Sequence, residues 1–428
     1  MSDPVKDKDK LYRLIIGQLQ FDGYIQVSKN LAQQARPSQG ATPSDQLMKI
    51  FQAGLQTIEL ESPPEEKTKL HTADDADGLD LESELVGGVL SPDPSVYETC
   101  YVTAHKGACR AAAWTKDGSY VATGSVDSSI KILDVERMVA KASLPMDMGN
   151  QSDASAAVDH PVIRTLYDHL EEVTTLAFHP FEQKLISGSK DYTIKVFDWS
   201  RSSAKKAQHT IQEVEWIRCL SLHPSGDWLV VGTQHPTIRF YDLHTTSCFT
   251  SPVQRDHHRG PITTIHHSTD AKMFCSSSKD GTIKLWDGVS HRCIATWERA
   301  HEGYEVCSVQ FTKNGKYLLS SGKDSICRLW EISTGRPILT YTGAELSGRN
   351  MHRSNACFNH TEEHVLFPCE KNISMCAWNS RTADRGKLLA LGHNSIARMI
   401  SHSPTQSAFL SCSDDFRARF WYHKTTSI

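Results

Sequence analysis

The chain has 428 residues, and its 46 lysine and arginine residues are balanced by 50 aspartate and glutamate residues, for a net charge of −4. No domain-wide basic excess exists to cover a phosphate backbone, which argues against autonomous strong binding to RNA or DNA, so that any RNA contact is expected to be indirect or weak. The 12 cysteines occur without a Cys-x-x-Cys pair, so we expect free thiols and a reducing, intracellular compartment. Neither a run of 18 apolar residues nor an apolar N-terminal core occurs, so we expect a soluble protein without a membrane partner.

Residues 1–57 are predicted to form a small all-α module. In the first helix, Leu11, Leu14 and neighbouring apolar residues form one face, and Gly23 is expected to end it. A second helical segment continues to Pro37, and Ser44 can cap a third helix. Three short helices bury little surface alone, so we predict homodimerisation; the alternative is a helical cap packed on the rest of the chain. The predicted dimer contacts are Leu11, Leu14, Ile15, Leu19, Ile25, Leu31, Leu47, Phe51 and Leu55. The turn at Gly23 and Tyr24 also resembles that of the LisH dimerisation motif.

Residues 58–95 differ abruptly in composition. Acidic residues dominate between Glu59 and Glu84, and Pro63-Pro64 and Gly87-Gly88 interrupt any regular element. This composition predicts a flexible acidic linker between the helical module and the remainder of the chain.

Residues 96–428 contain a repeated phrase. Residues 276–287 read Ser-Ser-Ser-Lys-Asp-Gly-Thr-Ile-Lys-Leu-Trp-Asp, and related phrases recur. We call Asp280 and its counterparts the anchors of the repeats. Successive anchors are separated by 64, 44, 45, 44, 48 and 43 residues, and they are Asp127, Asp191, His235, Asp280, Asp324, Asn372 and Asp415. A repeat of about 40–45 residues that ends in Trp-Asp is typical of propellers. The fold class is therefore predicted to be an all-β seven-bladed WD-repeat β-propeller, preceded by the helical module.

Both ends of the propeller are predicted to meet in one blade. Only seven residues follow Trp421, too few for an outer strand, and the alternating residues 98–103 can supply it. The long first interval places its extra residues around 146–159, which predicts a loop between the third and fourth strands of blade one.

A polar network is predicted inside five blades. Each pairs a histidine 22 or 23 residues before the anchor with a serine or threonine four residues before it, and three blades add a tryptophan six residues after it. Repetition in five blades argues for a structural network rather than a catalytic triad, although the residue types are similar. Blade one contributes His105, Thr123 and Asp127; the others contribute His169, Ser187, Asp191, His258, Ser276, Asp280, Trp286, His301, Ser320, Asp324, Trp330, His393, Ser411, Asp415 and Trp421. Blades three and six lack all three polar partners of the anchor.

Other patterns typical of enzymes are weak. The segment from His360 to His364 matches His-x-x-Glu-His by its letters, but it aligns with a strand, a turn and a strand of blade two, whereas a zinc site of this type needs a helix. Neither a phosphate-binding glycine loop nor a nucleophile elbow is present in the sequence. We therefore expect no enzyme activity, cofactor or metal.

The residue before each anchor is predicted to lie at one mouth of the central channel, and four of these residues are lysines. The loops that lead into the blades add arginines on the same face. This basic rim suggests an acidic or phosphorylated peptide as ligand. The rim consists of Lys190, Lys279, Lys323, Lys371, Arg218, Arg259, Arg349 and Arg353.

Several of these features together resemble one family. The chain resembles the WD-repeat subunit of the cleavage stimulation factor. The similar segments are the Gln234-His235-Pro236 turn of blade three, the Asp414-Asp415-Phe416-Arg417 turn of blade seven, and residues 97–107 and 161–169. The resemblance implies a non-enzymatic nuclear subunit that acts in mRNA 3′-end formation and dimerises through its N-terminal module. It also implies contact of the propeller with a helical-repeat scaffold subunit, and a link to the phosphorylated C-terminal tail of RNA polymerase II.

Two other classes of protein remain as alternatives. The segment Trp378-Asn-Ser-Arg381 approaches the Trp-Asp-x-Arg phrase of substrate receptors for cullin ubiquitin ligases. A generic cytoplasmic LisH and WD-repeat scaffold fits the same architecture.

Overall fold

The computed structural model describes residues 4–35, 42–45, 47, 49, 91–143, 160–201, 205–345 and 353–423. The chain divides into two compact units, residues 1–69 and 70–428. Within the described ranges, no helix is long and apolar enough to cross a membrane.

The first unit is helical. Helix α1 spans Pro4–Phe21 and helix α2 spans Ile25–Ala35. Helix α1 begins seven residues before Leu11, the first residue of the predicted apolar face, because helix propensity does not require apolar residues and proline suits a first turn. The predicted stop is confirmed: Gly23 has a φ of +83°, and the Tyr24 N–H donates to the Leu19 carbonyl at 2.8 Å. Leu47 and Lys49 are helical, and the rest of the predicted third helix, with Phe51 and Leu55, lies outside the described residues.

The second unit is a seven-bladed propeller, which confirms the predicted fold class. Each blade is a four-stranded antiparallel sheet. Blade one comprises Cys109–Trp114, Tyr120–Ser125, Ile130–Asp134 and Val162–Leu166; blade two, Val173–Phe178, Lys184–Ser189, Thr193–Asp198 and His209–Gln212; blade three, Ile217–Leu222, Trp228–Thr233, Arg239–Asp242 and Cys248–Thr250; blade four, Ile262–His267, Met273–Ser278, Ile283–Asp287 and Cys293–Trp297. Blade five comprises Val306–Phe311, Tyr317–Gly322, Cys327–Glu331 and Pro337–Tyr341; blade six, Cys357–Phe358, His364–Cys369, Ser374–Asn379 and Leu389–Ala390; blade seven, Ala397–His402, Ala408–Ser413, Arg417–Tyr422 and Glu98–Ala104.

Blade seven closes the ring as predicted. Its outer strand, Glu98–Ala104, comes from the start of the propeller and pairs antiparallel with Arg417–Tyr422. The register shifts between Thr99 and Tyr101, so a bulge lies at Cys100. Residues just before this strand also contact the propeller, because the Ser91 N–H donates to the Glu363 carboxylate at 2.6 Å. The extent of the linker stays a prediction, since most of residues 58–95 lie outside the described ranges.

The insertion in blade one lies between its third and fourth strands, where the sequence placed it. It begins with an unpredicted helix, α3 (Val135–Ala142), which Asp134 caps by accepting from the Arg137 N–H at 3.1 Å. The buried side chains of Val135 and Met138 pack against blades seven and one. Residues 146–159 lie outside the described ranges.

Apolar cores lie between neighbouring blades. Glycines three residues before the anchors of blades one to three allow this packing: a Cβ on Gly124 would lie 2.7 Å from Val173, and one on Gly188 would lie 2.5 Å from Ile217. All 12 cysteines are free and most are buried, while Cys248 is exposed.

Candidate functional site at the mouth of the channel

The polar networks of the five blades are closed hydrogen-bonded systems. In blade two, His169 Nδ1 lies 2.9 Å from the Asp191 carboxylate and Nε2 lies 2.6 Å from the Ser187 hydroxyl. Blades five and seven show the same direct contacts, through His301, Ser320 and Asp324 and through His393, Ser411 and Asp415. Each imidazole nitrogen has a partner within its own blade.

In blades one and four a hydroxyl is interposed between histidine and aspartate. His258 Nδ1 lies 2.8 Å from the Thr282 hydroxyl, which donates to Asp280 at 2.7 Å. His105 contacts Ser129 in the same way at 2.9 Å. Burial opposes ionisation of Asp280, but the nearby His258 and the hydrogen bonds from Thr282 and the Arg259 N–H outweigh it, and the pKa of Asp280 is lowered. The sequence did not reveal this second arrangement, in which the residue two positions after the anchor supplies the hydroxyl. Blade two also has a threonine there, Thr193, and still shows the direct contact.

The tryptophans complete the networks of three blades. Trp286 Nε1 donates to the Ser276 hydroxyl at 2.8 Å, and Trp330 and Trp421 donate to Ser320 and Ser411 at 2.8 and 3.0 Å. With histidine, hydroxyl and tryptophan all satisfied, these groups are suited to holding the blade together and are poorly placed for catalysis.

Blade three carries a different buried polar group. Glu213 occupies the histidine position, is 4% exposed, and accepts from both Arg239 and the Tyr241 hydroxyl. The polar interior of this blade is therefore replaced rather than lost. In blade six, the residue at the histidine position is Asn350, which lies outside the described residues.

The other enzyme-like patterns lie in structural positions. His360 occupies a turn and His364 begins the strand His364–Cys369, as the alignment with blade two predicted. Within the described ranges, no group of three or more His, Cys, Asp or Glu side chains could hold a metal ion. In the segment that approaches the cullin-receptor phrase, Trp378 is 1% exposed and donates to the Thr342 carbonyl at 2.9 Å.

A channel of about 750 Å³ runs through the centre of the propeller. The first strands of all seven blades line it, and its walls include Ala111, Ile217 and Ala356. At one mouth the lining is charged or aromatic, with Arg110, Glu172, Lys190, Trp216, Arg218, Lys279, Arg353 and Arg398. This mouth lies on the face of the anchor turns and is the candidate functional site.

Three of the four predicted rim lysines are paired with glutamates. Lys190 Nζ lies 2.5 Å from Glu172 and also 5.0 Å from the centre of the Trp216 ring. Lys323 lies 2.7 Å from Glu305, and Lys371, which is 69% exposed, lies 2.5 Å from Glu345. These pairs make the rim less basic than the lysines alone suggest.

The predicted arginines lie in varied positions. Arg218 belongs to the strand Ile217–Leu222 rather than to a loop, and Arg353 Nη2 reaches across to donate to the Arg218 carbonyl at 2.9 Å. Arg259 is exposed at the loop that leads into blade four, and Arg349 lies outside the described residues.

Several mouth residues were missed in the sequence. Arg110 and Arg398 both contact Asp414 at 3.0 Å, and Arg398, which is 4% exposed, also binds Glu370 at 2.6 Å. The sequence carries a signal for them, because Arg110, Arg218 and Arg398 all lie 17 residues before an anchor. The pairing glutamates of blades two and five, Glu172 and Glu305, both lie 19 residues before an anchor.

The helical module exposes apolar side chains. Leu11 is 49% exposed and Ile25 is 57% exposed, whereas Leu14, Ile15, Leu19 and Leu31 are half-buried. Phe21, Tyr24 and Val27, which were not among the predicted dimer contacts, are also more than half exposed. Among the described side chains of the module, Ile16 and Ser28 are buried, and Gly17 is required beside Ile16 because a Cβ would lie 2.7 Å from the Thr42 carbonyl.

Comparisons with known proteins cover both units. Residues 3–59 match the family described as "Cleavage stimulation factor subunit 1, dimerisation domain". Segments 98–134, 161–198, 205–242, 250–287, 291–331 and 386–422 match "WD domain, G-beta repeat". The chain is 35% identical over 326 residues to "Cleavage stimulation factor subunit 50" of Arabidopsis thaliana, which covers 76% of this chain and 73% of that protein. It is 26% identical to human "Serine-threonine kinase receptor-associated protein", over 46% of this chain and 59% of that protein.

Proposed function

Because the chain belongs to the family of cleavage stimulation factor subunit 50, we propose that it is a non-enzymatic scaffold subunit of that factor, supporting cleavage and polyadenylation of pre-mRNA 3′ ends in the nucleus. The observation that carries this proposal is the joint match: one relative is similar over 76% of the chain, and the dimerisation domain of the same factor matches residues 3–59.

The helical module supplies the first scaffold function, which is homodimerisation. Its exposed Leu11, Phe21, Ile25 and Val27 form apolar surface on helices too short to bury it internally. A second copy of the module is the occupant that the matched dimerisation domain favours.

The propeller supplies the second function, which is protein contact. We propose that it binds the helical-repeat scaffold subunit of the factor, and that the phosphorylated tail of RNA polymerase II is a further ligand of its basic mouth. The pairing of Lys190, Lys323 and Lys371 with glutamates supports a local anion contact over a broad electrostatic one. The same pairing and the net charge of −4 support an indirect or weak role in RNA binding.

The polar interior supports a role without catalysis. The imidazoles of blades two, four and five have both nitrogens bonded to blade partners, and the same pattern recurs around the ring. A catalytic histidine needs a nitrogen free to meet a substrate.

Affinity purification of the full chain from nuclear extract, followed by mass spectrometry, tests the proposal. We expect the other cleavage stimulation factor subunits to dominate the recovered proteins. Recovery of a cullin adaptor or of motor components without any 3′-end processing factor would contradict it. A variant that lacks residues 1–57 is the matched control, because it retains the propeller and should still recover the scaffold subunit.

A further inference from the structure

One lysine of the rim lacks the carboxylate that its counterparts have. In blades two and five, Lys190 and Lys323 pair with Glu172 and Glu305, and each lysine N–H also donates to the carbonyl of that glutamate. In blade four the equivalent residue is Pro261, whose carbonyl accepts from the Lys279 N–H at 3.0 Å. The backbone arrangement is the same, but proline offers no acid, and within the described ranges the Lys279 amine has no ion pair.

Two arginines join this lysine at the mouth. In the described part of the chain, the acceptors of Arg218 are neutral: the Ile262 carbonyl and the Gln234 side chain, both at 2.9 Å. Arg353 donates to the Arg218 carbonyl at 2.9 Å, which brings a second guanidinium beside the first. Among the described residues, no carboxylate pairs with either arginine.

The three cations oppose one another electrostatically. Burial and then the nearby Arg353 lower the pKa of Arg218 to about 10, and burial and then Arg218 lower the pKa of Lys279. Like charges held together in a partly buried site destabilise the unliganded protein, and an anion placed among them would relieve the repulsion.

We propose that Arg218, Lys279 and Arg353 form a binding site for a single anionic side chain of an extended peptide that inserts into the mouth of the channel. Two guanidiniums and an ammonium offer the donors that a phosphate or a carboxylate needs. Trp216 lines the same mouth and offers an aromatic surface to the rest of the peptide. The site does not depend on which complex the chain joins.

The surrounding charges favour a peptide over RNA. Glu172 and Asp414 lie on one side of the mouth. On the other side, the negative charge of Glu305 favours the protonated form of Lys279. A continuous polyanion would meet these carboxylates wherever it left the three cations, whereas one isolated anion would not. The acids therefore restrict the site to a single charged group.

A peptide array tests the proposal with the full chain as the soluble partner. The array carries random-sequence peptides, each in three versions whose central residue is phosphoserine, glutamate or serine. We expect the wild-type chain to bind anionic versions about tenfold better than serine versions, and Lys279→Gln and Arg353→Gln to lose that preference. A preference for phosphoserine would identify a phosphate ligand, and a preference for glutamate would identify a carboxylate; either supports the site.

Matched controls separate binding from folding. Lys371→Gln removes a lysine of the same rim that is paired with Glu345 outside the channel, and it should keep the preference. Lys279→Gln should leave the thermal midpoint unchanged or raise it, since it removes repulsion. Equal binding of the three peptide versions by the wild-type chain, or an unchanged preference in Lys279→Gln, would refute the proposal. The proposal would also be refuted if the Lys279→Gln variant lost affinity for an oligouridine RNA but kept the wild-type preference for anionic peptides.

Discussion

At the scale of single residues, one hydroxyl joins most of the polar interior of a blade. The Ser276 hydroxyl lies 2.7 Å from His258 Nε2 and receives the Trp286 N–H at 2.8 Å. Because Thr282 donates to Asp280, His258 Nδ1 is the donor to Thr282, which leaves Nε2 as the acceptor of the Ser276 proton. Blade two has phenylalanine, Phe197, in place of the tryptophan, so Ser187 satisfies His169 without a tryptophan partner.

This difference gives a matched pair of substitutions. Ser276→Ala leaves two buried groups without a partner, His258 Nε2 and the Trp286 N–H, whereas Ser187→Ala leaves His169 Nε2 alone. We expect the free energy of unfolding to fall by about 2–4 kcal/mol for Ser276→Ala and by about 1–2 kcal/mol for Ser187→Ala, measured by urea denaturation. Equal losses would show that the tryptophan bond contributes little.

At the scale of elements, the turn at Gly23 and the edge strand Glu98–Ala104 show how a helix is ended and how a sheet edge is covered. Gly23 ends helix α1 in a left-handed conformation that turns the chain into helix α2. The strand Glu98–Ala104 covers the edge that Arg417–Tyr422 would otherwise expose to other chains. Among the described residues of the module, none gives the apolar surface of helices α1 and α2 such a cover, because Leu11, Phe21 and Val27 are each about half exposed.

The proposed dimer predicts a clear change in mass. Light scattering of the full chain should give twice the monomer mass of 47.8 kDa, and Leu11→Asp should give 47.8 kDa, because a buried unpaired carboxylate opposes association. Leu11 is 49% exposed in the single chain, so the variant should still fold.

Val289→Asp provides the control for this experiment. It places the same charge at an apolar residue of the propeller that is 86% exposed, and it should remain dimeric. A wild-type chain that is monomeric at micromolar concentration would contradict the dimer, and it would favour the helical cap instead.

At the scale of the whole molecule, buried histidines couple stability to pH. Burial lowers the pKa of His105 and His266 to about 4 and that of His267 and His402 to about 3. In the unfolded chain a histidine takes up its proton at about pH 6.5. The folded state therefore resists protonation that the unfolded state accepts, and stability present above about pH 6.5 is lost as the pH falls toward 4.

Urea denaturation between pH 7 and pH 5 should show this loss. Each of the four histidines is expected to reduce the free energy of unfolding by about 1–2 kcal/mol over this interval. Salt at about 0.5 M should change the slope little, because the groups are buried rather than screened at the surface. A free energy that stays constant from pH 7 to pH 5 would show that these side chains become exposed or protonated in the folded state.

The sequence by itself determined the blade count, the closure of the ring and the histidine, hydroxyl, anchor and tryptophan positions of the five polar networks. Anchors such as Asp191 and Asp280 recur at nearly constant spacing, and the turn and strand around each one are local features. The tertiary structure alone decided which charges of the channel mouth are paired, because Arg353 meets the carbonyl of a residue 135 positions away and Lys279 differs from Lys190 through a distant proline. Periodicity reports what every blade shares, whereas a site depends on where blades differ and on which residues the closed ring brings together.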